Sequence, residues 1–121
     1  MMKIMLVDDD RTMQAILKTL LEMDKHQVVL WDGTSESDIF AQIVQEMPDL
    51  ILLDYYLRDR NGIEIVKQLR QEPQTSHIRV IMTSGQYLRD ECLEAGADAF
   101  LLKPYMPDEL LRLLHQVQQN G

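Results

Sequence analysis

Asp49-Leu50-Ile51-Leu52-Leu53-Asp54 is the stretch that decides how this chain is read. Its four apolar residues follow one another without a break and stop at a carboxylate. A run of that length, entered from Met47-Pro48, reads as a strand buried on both faces, as central strands of parallel sheets are. Periodicity alone does not separate it from a turn of buried helix. The polar Arg58-Asp59-Arg60-Asn61-Gly62 helps, because Asn-Gly marks a turn before the next periodic segment. Asp54 therefore stands where a central strand gives way to a loop, the edge at which open parallel sheets hold their ligands. Taken alone, Asp54 reads better as a polar strand terminator.

Upstream, Lys3 to Val7 is a short apolar strand ended by Asp8-Asp9-Asp10. Arg11 to Asp24 carries Met13, Ile16, Leu17, Leu20 and Leu21 at helical spacing. Gln27 to Trp31 reads as a second strand. Asp32-Gly33-Thr34-Ser35 then turns into a helix with Ile39, Phe40, Ile43 and Val44 on one side. Downstream, Ile63, Val66 and Leu69 form the inner stripe of a third helix, closed by Pro73. Ile78 to Thr83 is a fourth strand, and Leu88 to Ala95 a shorter helix ended by Gly96. Ala99 to Leu102 is a fifth, wholly apolar strand. After Lys103-Pro104 a last helix carries Leu110, Leu111, Leu113, Leu114 and Val117. This alternation predicts an α/β fold: a doubly wound, five-stranded parallel sheet with five helices on its two faces. Such a sheet has its switch point at the ends of its first and third strands, here Asp8-Asp9 and Asp54.

The 121 residues, 45% hydrophobic, suit one compact domain over 1–121, with no linker-like, low-complexity or repeated segment. Lys and Arg number 12 against 20 Asp and Glu, a net charge of −8, which argues against a nucleic-acid surface. No apolar run is long enough to span a bilayer. Met1 to Val7 is too short for the apolar core of a signal peptide. A lone cysteine, Cys92, makes no internal disulfide and suits a reducing cytoplasm.

Asp8 and Asp9 beside Asp54 would repel strongly. Two unit charges ~4 Å apart cost roughly 4 kcal/mol at an effective dielectric of about 20. Either their pKa values rise or a cation neutralises them. An all-oxygen cluster of few carboxylates suits Mg²⁺ or Mn²⁺, which often shares a phosphate. Asp9 or Asp10 reads equally as a cap of the first helix. Ser84 and Lys103 end the fourth and fifth strands at the same sheet edge, although a lone Ser before Gly85 is usually a turn residue and a lone Lys a solvated one. Together they make a carboxylate nucleophile, a divalent-metal site, a hydroxyl and a cation. That set fits phosphoryl transfer onto Asp54 by positioning and charge neutralisation.

Over essentially its whole length the chain resembles the receiver domain of two-component response regulators. The matching pieces are Ile4-Met5-Leu6-Val7-Asp8-Asp9-Asp10, Leu52-Leu53-Asp54, Asn61-Gly62, Ile81-Met82-Thr83-Ser84-Gly85, Ala95-Gly96-Ala97-Asp98 and Leu101-Leu102-Lys103-Pro104-Tyr105. The resemblance implies a flavodoxin-like, CheY-like sheet of order 2-1-3-4-5. It implies that Asp54 accepts phosphate from the phosphohistidine of a sensor histidine kinase or a histidine phosphotransfer protein. Asp8, Asp9 and Asp54 would hold Mg²⁺, with the Tyr56 backbone carbonyl. Ser84 would bond a phosphoryl oxygen, with Thr83 the rival for that role, and Lys103 would neutralise its charge. Lys103-Pro104 matches the family's cis peptide, and Phe100 stands at its switch aromatic, though it also reads as plain core. Tyr56 and Gln86 fall at positions that tune phosphate lifetime. The implied outputs are a downstream protein target or a linked effector domain, and a phosphorylation-dependent dimer. Neither nucleic-acid contact nor membrane insertion is implied.

Two departures stand out. Arg58 replaces a common proline, which predicts a less constrained loop. Met106 stands at the usual cap position before Pro107, so the last helix lacks a side-chain acceptor there. His26, His77 and His115 read as surface residues, and the eight methionines as core filler. A phosphatase of the haloacid dehalogenase kind needs a second Asp two residues after the nucleophile, where this chain has Tyr56. A flavodoxin-like electron carrier needs a Ser/Thr/Gly-rich loop after the first strand, where this chain has Asp8-Asp9-Asp10. A degenerate, phosphate-independent receiver is argued against by the intact Asp8, Asp9, Asp54, Ser84 and Lys103.

Overall fold

Period-two alternation within the apolar strands sends neighbouring side chains into two separate cores, and the helices close over them. In the computed structural model, which describes residues 1–31, 38–58 and 60–119, the main strands are β1 (Lys3–Val7), β2 (Gln27–Leu30), β3 (Leu50–Asp54), β4 (Arg79–Ser84) and β5 (Ala99–Leu102). All pair in parallel, in the order β2-β1-β3-β4-β5. The expected turn at Asp32-Gly33-Thr34-Ser35, Asp59 and Gly121 lie outside the described residues.

Ile4 and Leu6 of β1, with Leu50 and Leu52 of β3, face a core completed by Leu17 and Leu21 of α1 (Arg11–Met23) and by Leu110, Leu114 and Val117 of α5 (Pro107–Gln119). Met5 and Val7, with Ile51 and Leu53, face the other core. There they meet Ile39 and Ile43 of α2 (Ile39–Glu46), Val66 and Leu69 of α3 (Gly62–Gln71) and Cys92 of α4 (Arg89–Ala95). Each fully buried Leu or Ile contributes about 1.5–3 kcal/mol relative to exposure.

Capping sets where the helices begin. Asp10 accepts the Met13 N–H at 3.1 Å and starts α1, while Asp38 accepts the Ala41 N–H and starts α2. Asn61 accepts the Ile63 N–H at 2.8 Å and starts α3. The last helix has no side-chain acceptor in that role. Glu109 instead reaches back and accepts the Met106 N–H at 3.1 Å, one half of a capping box. Gly96 ends α4 at φ +119°, where a side chain would be strained.

Several expectations change. The loop after Asp54 is tied rather than loose, for Tyr56–Leu57 pairs antiparallel with Arg60–Asn61 and Leu57 is buried. The expected stripe residue Ile16 is 58% exposed. His26 is buried: its Nδ1 accepts the Met2 N–H and its Nε2 faces Asp24 Oδ2 at 3.1 Å. It is enclosed because β2 begins beside it and pairs at once with β1. Met2, Met5 and Met82 do fill core, but Met1, Met23, Met47 and Met106 are exposed. No helix of the described residues is long and apolar enough to cross a membrane.

Candidate functional site

Register brings the polar strand ends together. Val7 lies opposite Leu53, so Asp8 and Asp54 emerge side by side from β1 and β3. Asp54 lies opposite Thr83, which places Ser84 at the same edge. Ser84 lies opposite Leu102, and its carbonyl accepts the Lys103 N–H at 2.8 Å. From there the Lys103 Nζ donates to Asp54 Oδ2 at 3.1 Å and to Asp8 Oδ2 at 3.3 Å. The other Asp8 oxygen accepts the Asp10 N–H at 2.8 Å. A backbone hydrogen bond from Tyr56 also reaches the Asp54 carboxylate. Of the three leading aspartates, Asp10 caps, Asp8 joins Lys103, and Asp9 stands half-buried beside them.

Charge and burial compete here. Burial pushes the Asp54 carboxyl above its ordinary value; Lys103 offsets this in part, and Asp8 adds to the rise. For Lys103 burial works downward, yet Asp54 and Asp8 outweigh it and hold the ammonium above its usual range. Tyr105, half-buried nearby, is pushed up to about 12 by burial, then by Asp8 and Asp54. In the sequence Tyr105 only ends the Leu101-Leu102-Lys103-Pro104-Tyr105 motif; the fold brings it close enough to feel both carboxylates, and the Lys103–Pro104 peptide bond before it is cis.

Ser84 is buried, and its Oγ accepts the Gln86 N–H at 3.0 Å. Thr83 is buried as well and is the lateral partner of Asp54. The Tyr56 hydroxyl donates to Gln86 Oε1 at 2.9 Å. Phe100 is half-buried, its ring edge-on to Tyr87 at 5.9 Å. Gly62 has a site role that its turn signal did not reveal. A Cβ there would lie 2.6 Å from the Asp54 carbonyl oxygen, so only glycine lets α3 start this close to the site.

Among the described residues no three His, Cys, Asp or Glu side chains converge into a complete metal cage. The donors still fit a hard dication that keeps several waters. They are all oxygen, and the three carboxylates Asp8, Asp9 and Asp54 against one ammonium leave two negative charges. The same edge thus brings together carboxylates, one ammonium and a buried hydroxyl.

The family model for the response regulator receiver domain matches residues 4–115. The transcriptional regulatory protein CpxR of Escherichia coli K12 is 38% identical over 122 residues, covering 100% of this chain and 51% of CpxR. The chain therefore spans about half the length of the curated relatives it matches. Among solved structures, chemotaxis protein CheY4 of Vibrio cholerae superposes with a TM-score of 0.84 at 24% identity, covering 97% of this chain and 98% of that one. The receiver domain of sensor histidine kinase PA1611 from Pseudomonas aeruginosa PAO1, with a magnesium ion coordinated in its active site cleft, gives a TM-score of 0.76 at 25% identity. That match covers 95% of each chain.

Proposed function

The chain belongs to the response regulator receiver domain family, and on that premise we propose that Asp54 is its phosphoacceptor, loaded from a phosphohistidine of a sensor kinase or phosphotransfer protein. One observation carries the reading: Lys103 lies between Asp54 and Asp8, within hydrogen-bond distance of both, at the carboxyl edge of the sheet.

An Asp54 carboxylate oxygen attacks phosphorus, the P–O bond forms, and the P–N bond to the donor imidazole breaks. Lys103, already positioned, neutralises charge on the transferring group. Ser84 turns its hydroxyl from the Gln86 N–H to a phosphoryl oxygen. Asp8, Asp9, Asp54 and the Tyr56 carbonyl would hold Mg²⁺ or Mn²⁺, which supplies charge neutralisation for the transferring phosphoryl. The chain then acts as a switch, not a turnover enzyme, and we assign its action to the cytoplasm. Its output passes to a protein target, a linked effector domain or a second copy.

Incubation with acetyl phosphate and Mg²⁺ tests this. Mass spectrometry should show one phosphoryl group, absent without a divalent ion, lost in Asp54→Asn and strongly reduced in an Asp8→Asn, Asp9→Asn double variant. Undiminished labelling of Asp54→Asn would remove the assignment.

A further inference from the structure

Tyr55 follows the phosphoacceptor directly, yet its side chain leaves the site and runs to the fourth helix. Its ring is only 8% exposed and packs edge-on against Tyr56, centroids 4.6 Å apart. Its hydroxyl donates to the Glu91 carboxylate in the first turn of α4. Asn61, at the far end of the same loop, also hydrogen-bonds that phenol. A second tie runs from Tyr56 to Gln86 in the segment leading into α4. The helix also lies against β5 and α3, with Cys92 in the core and Leu88 and Ala95 partly buried against it. It is seven residues long, Leu88 provides no side-chain cap, and Cys92 is its one buried residue. In a short helix without a side-chain cap, a charge-assisted hydrogen bond bears on where the element rests.

We propose that the Tyr55–Glu91 hydrogen bond is a latch that holds α4 in its unphosphorylated position, which makes Tyr55 a positioning residue for output. The inference rests on the receiver reading above. Movement of Ser84 Oγ toward a phosphoryl oxygen stretches the hydrogen bond it accepts from the Gln86 N–H. Its withdrawal loosens Gln86, and with it the Tyr56 tie, so the latch is left opposing the shift. A contact made in only one of two states biases their balance by its full strength. Removing it must therefore make the phosphorylated arrangement easier to reach.

The test titrates the 121-residue chain with beryllofluoride at saturating Mg²⁺, following the amide signals of residues 89–95. Tyr55→Phe keeps the ring and loses the hydroxyl; Glu91→Gln keeps the shape and loses the charge. Each should lower the half-conversion concentration by roughly threefold to tenfold, and move the resting signals toward the bound end point. The double variant should go little further than either single one. Glu91 is exposed, so Glu91→Gln retains the fold even if Tyr55→Phe loosens the core. Variants that titrate at or above the wild-type concentration, with unmoved resting signals, would overturn the latch alone. A wild-type chain with no response to beryllofluoride would overturn the receiver reading and the latch with it.

Discussion

Asp54 is held in a place that works against its own charge. Its carboxyl lies above the ordinary 3.8 because burial outweighs the help from Lys103. Ionisation therefore costs the folded state: the cost is absent below the ordinary value and complete once pH has risen through the folded one. Asp54→Asn should accordingly stabilise the fold at neutral pH in chelator by about 0.5–2 kcal/mol, read as a higher melting temperature, with the gain fading in acid. A variant less stable than wild type at neutral pH would contradict that sign. Mg²⁺ should stabilise the wild type and leave Asp54→Asn nearly unmoved. Tyr56 belongs to the same scale. Its ring is 56% exposed, but its hydroxyl is tied to Gln86 across the mouth of the site. We propose that this pair hinders an in-line water, so Tyr56→Asn should shed phosphate several-fold faster at fixed Mg²⁺. An equal or slower rate would show that the ring does not shield the bond. Asp8, Asp54 and Lys103 were legible because each terminates an apolar run, and runs reveal strand ends. His26 was not, since nothing local marks a histidine whose neighbour strand will enclose it.

Elements were legible wherever an apolar period met a capping residue, as at Asp10, Asn61 and Gly96. Exposure within a helix was harder to read. The stripe of α1 includes Ile16, but spacing shows only that residues share a face, not how much of that face is covered. Ile16 instead lines, with Met13, Leu20, Pro104 and Tyr105, an open groove of about 380 Å³. The short ladder after Asp54 was missed because two-residue strands carry no period. Cap chemistry offers a direct check. Met106 has no side-chain acceptor, while Glu109 already supplies the return half of a capping box. Met106→Ser should complete it and stabilise the fold by about 0.5–1 kcal/mol; no change in urea midpoint would mean that α5 starts elsewhere.

The sheet is a floor shared by two cores, and Asp54 stands at its edge between them. A group bound there can therefore act on packing above and below. We propose that Ser84 and Phe100, on neighbouring strands, carry a change at the site to α4, β5 and α5. Beryllofluoride with Mg²⁺ should shift amide signals across residues 88–114 as well as around Asp54; silence beyond the immediate site would argue against a switch that reaches this face.

The chain also has one thiol, and it lies under the helix in question. Cys92 is fully buried, and burial pushes its sulfhydryl up to about 11. In the closed molecule that sulfur is both shielded and protonated, so a maleimide has nothing to attack. Alkylation must wait for α4 to lift, and its slow progress, read as added mass, times that opening with no probe introduced.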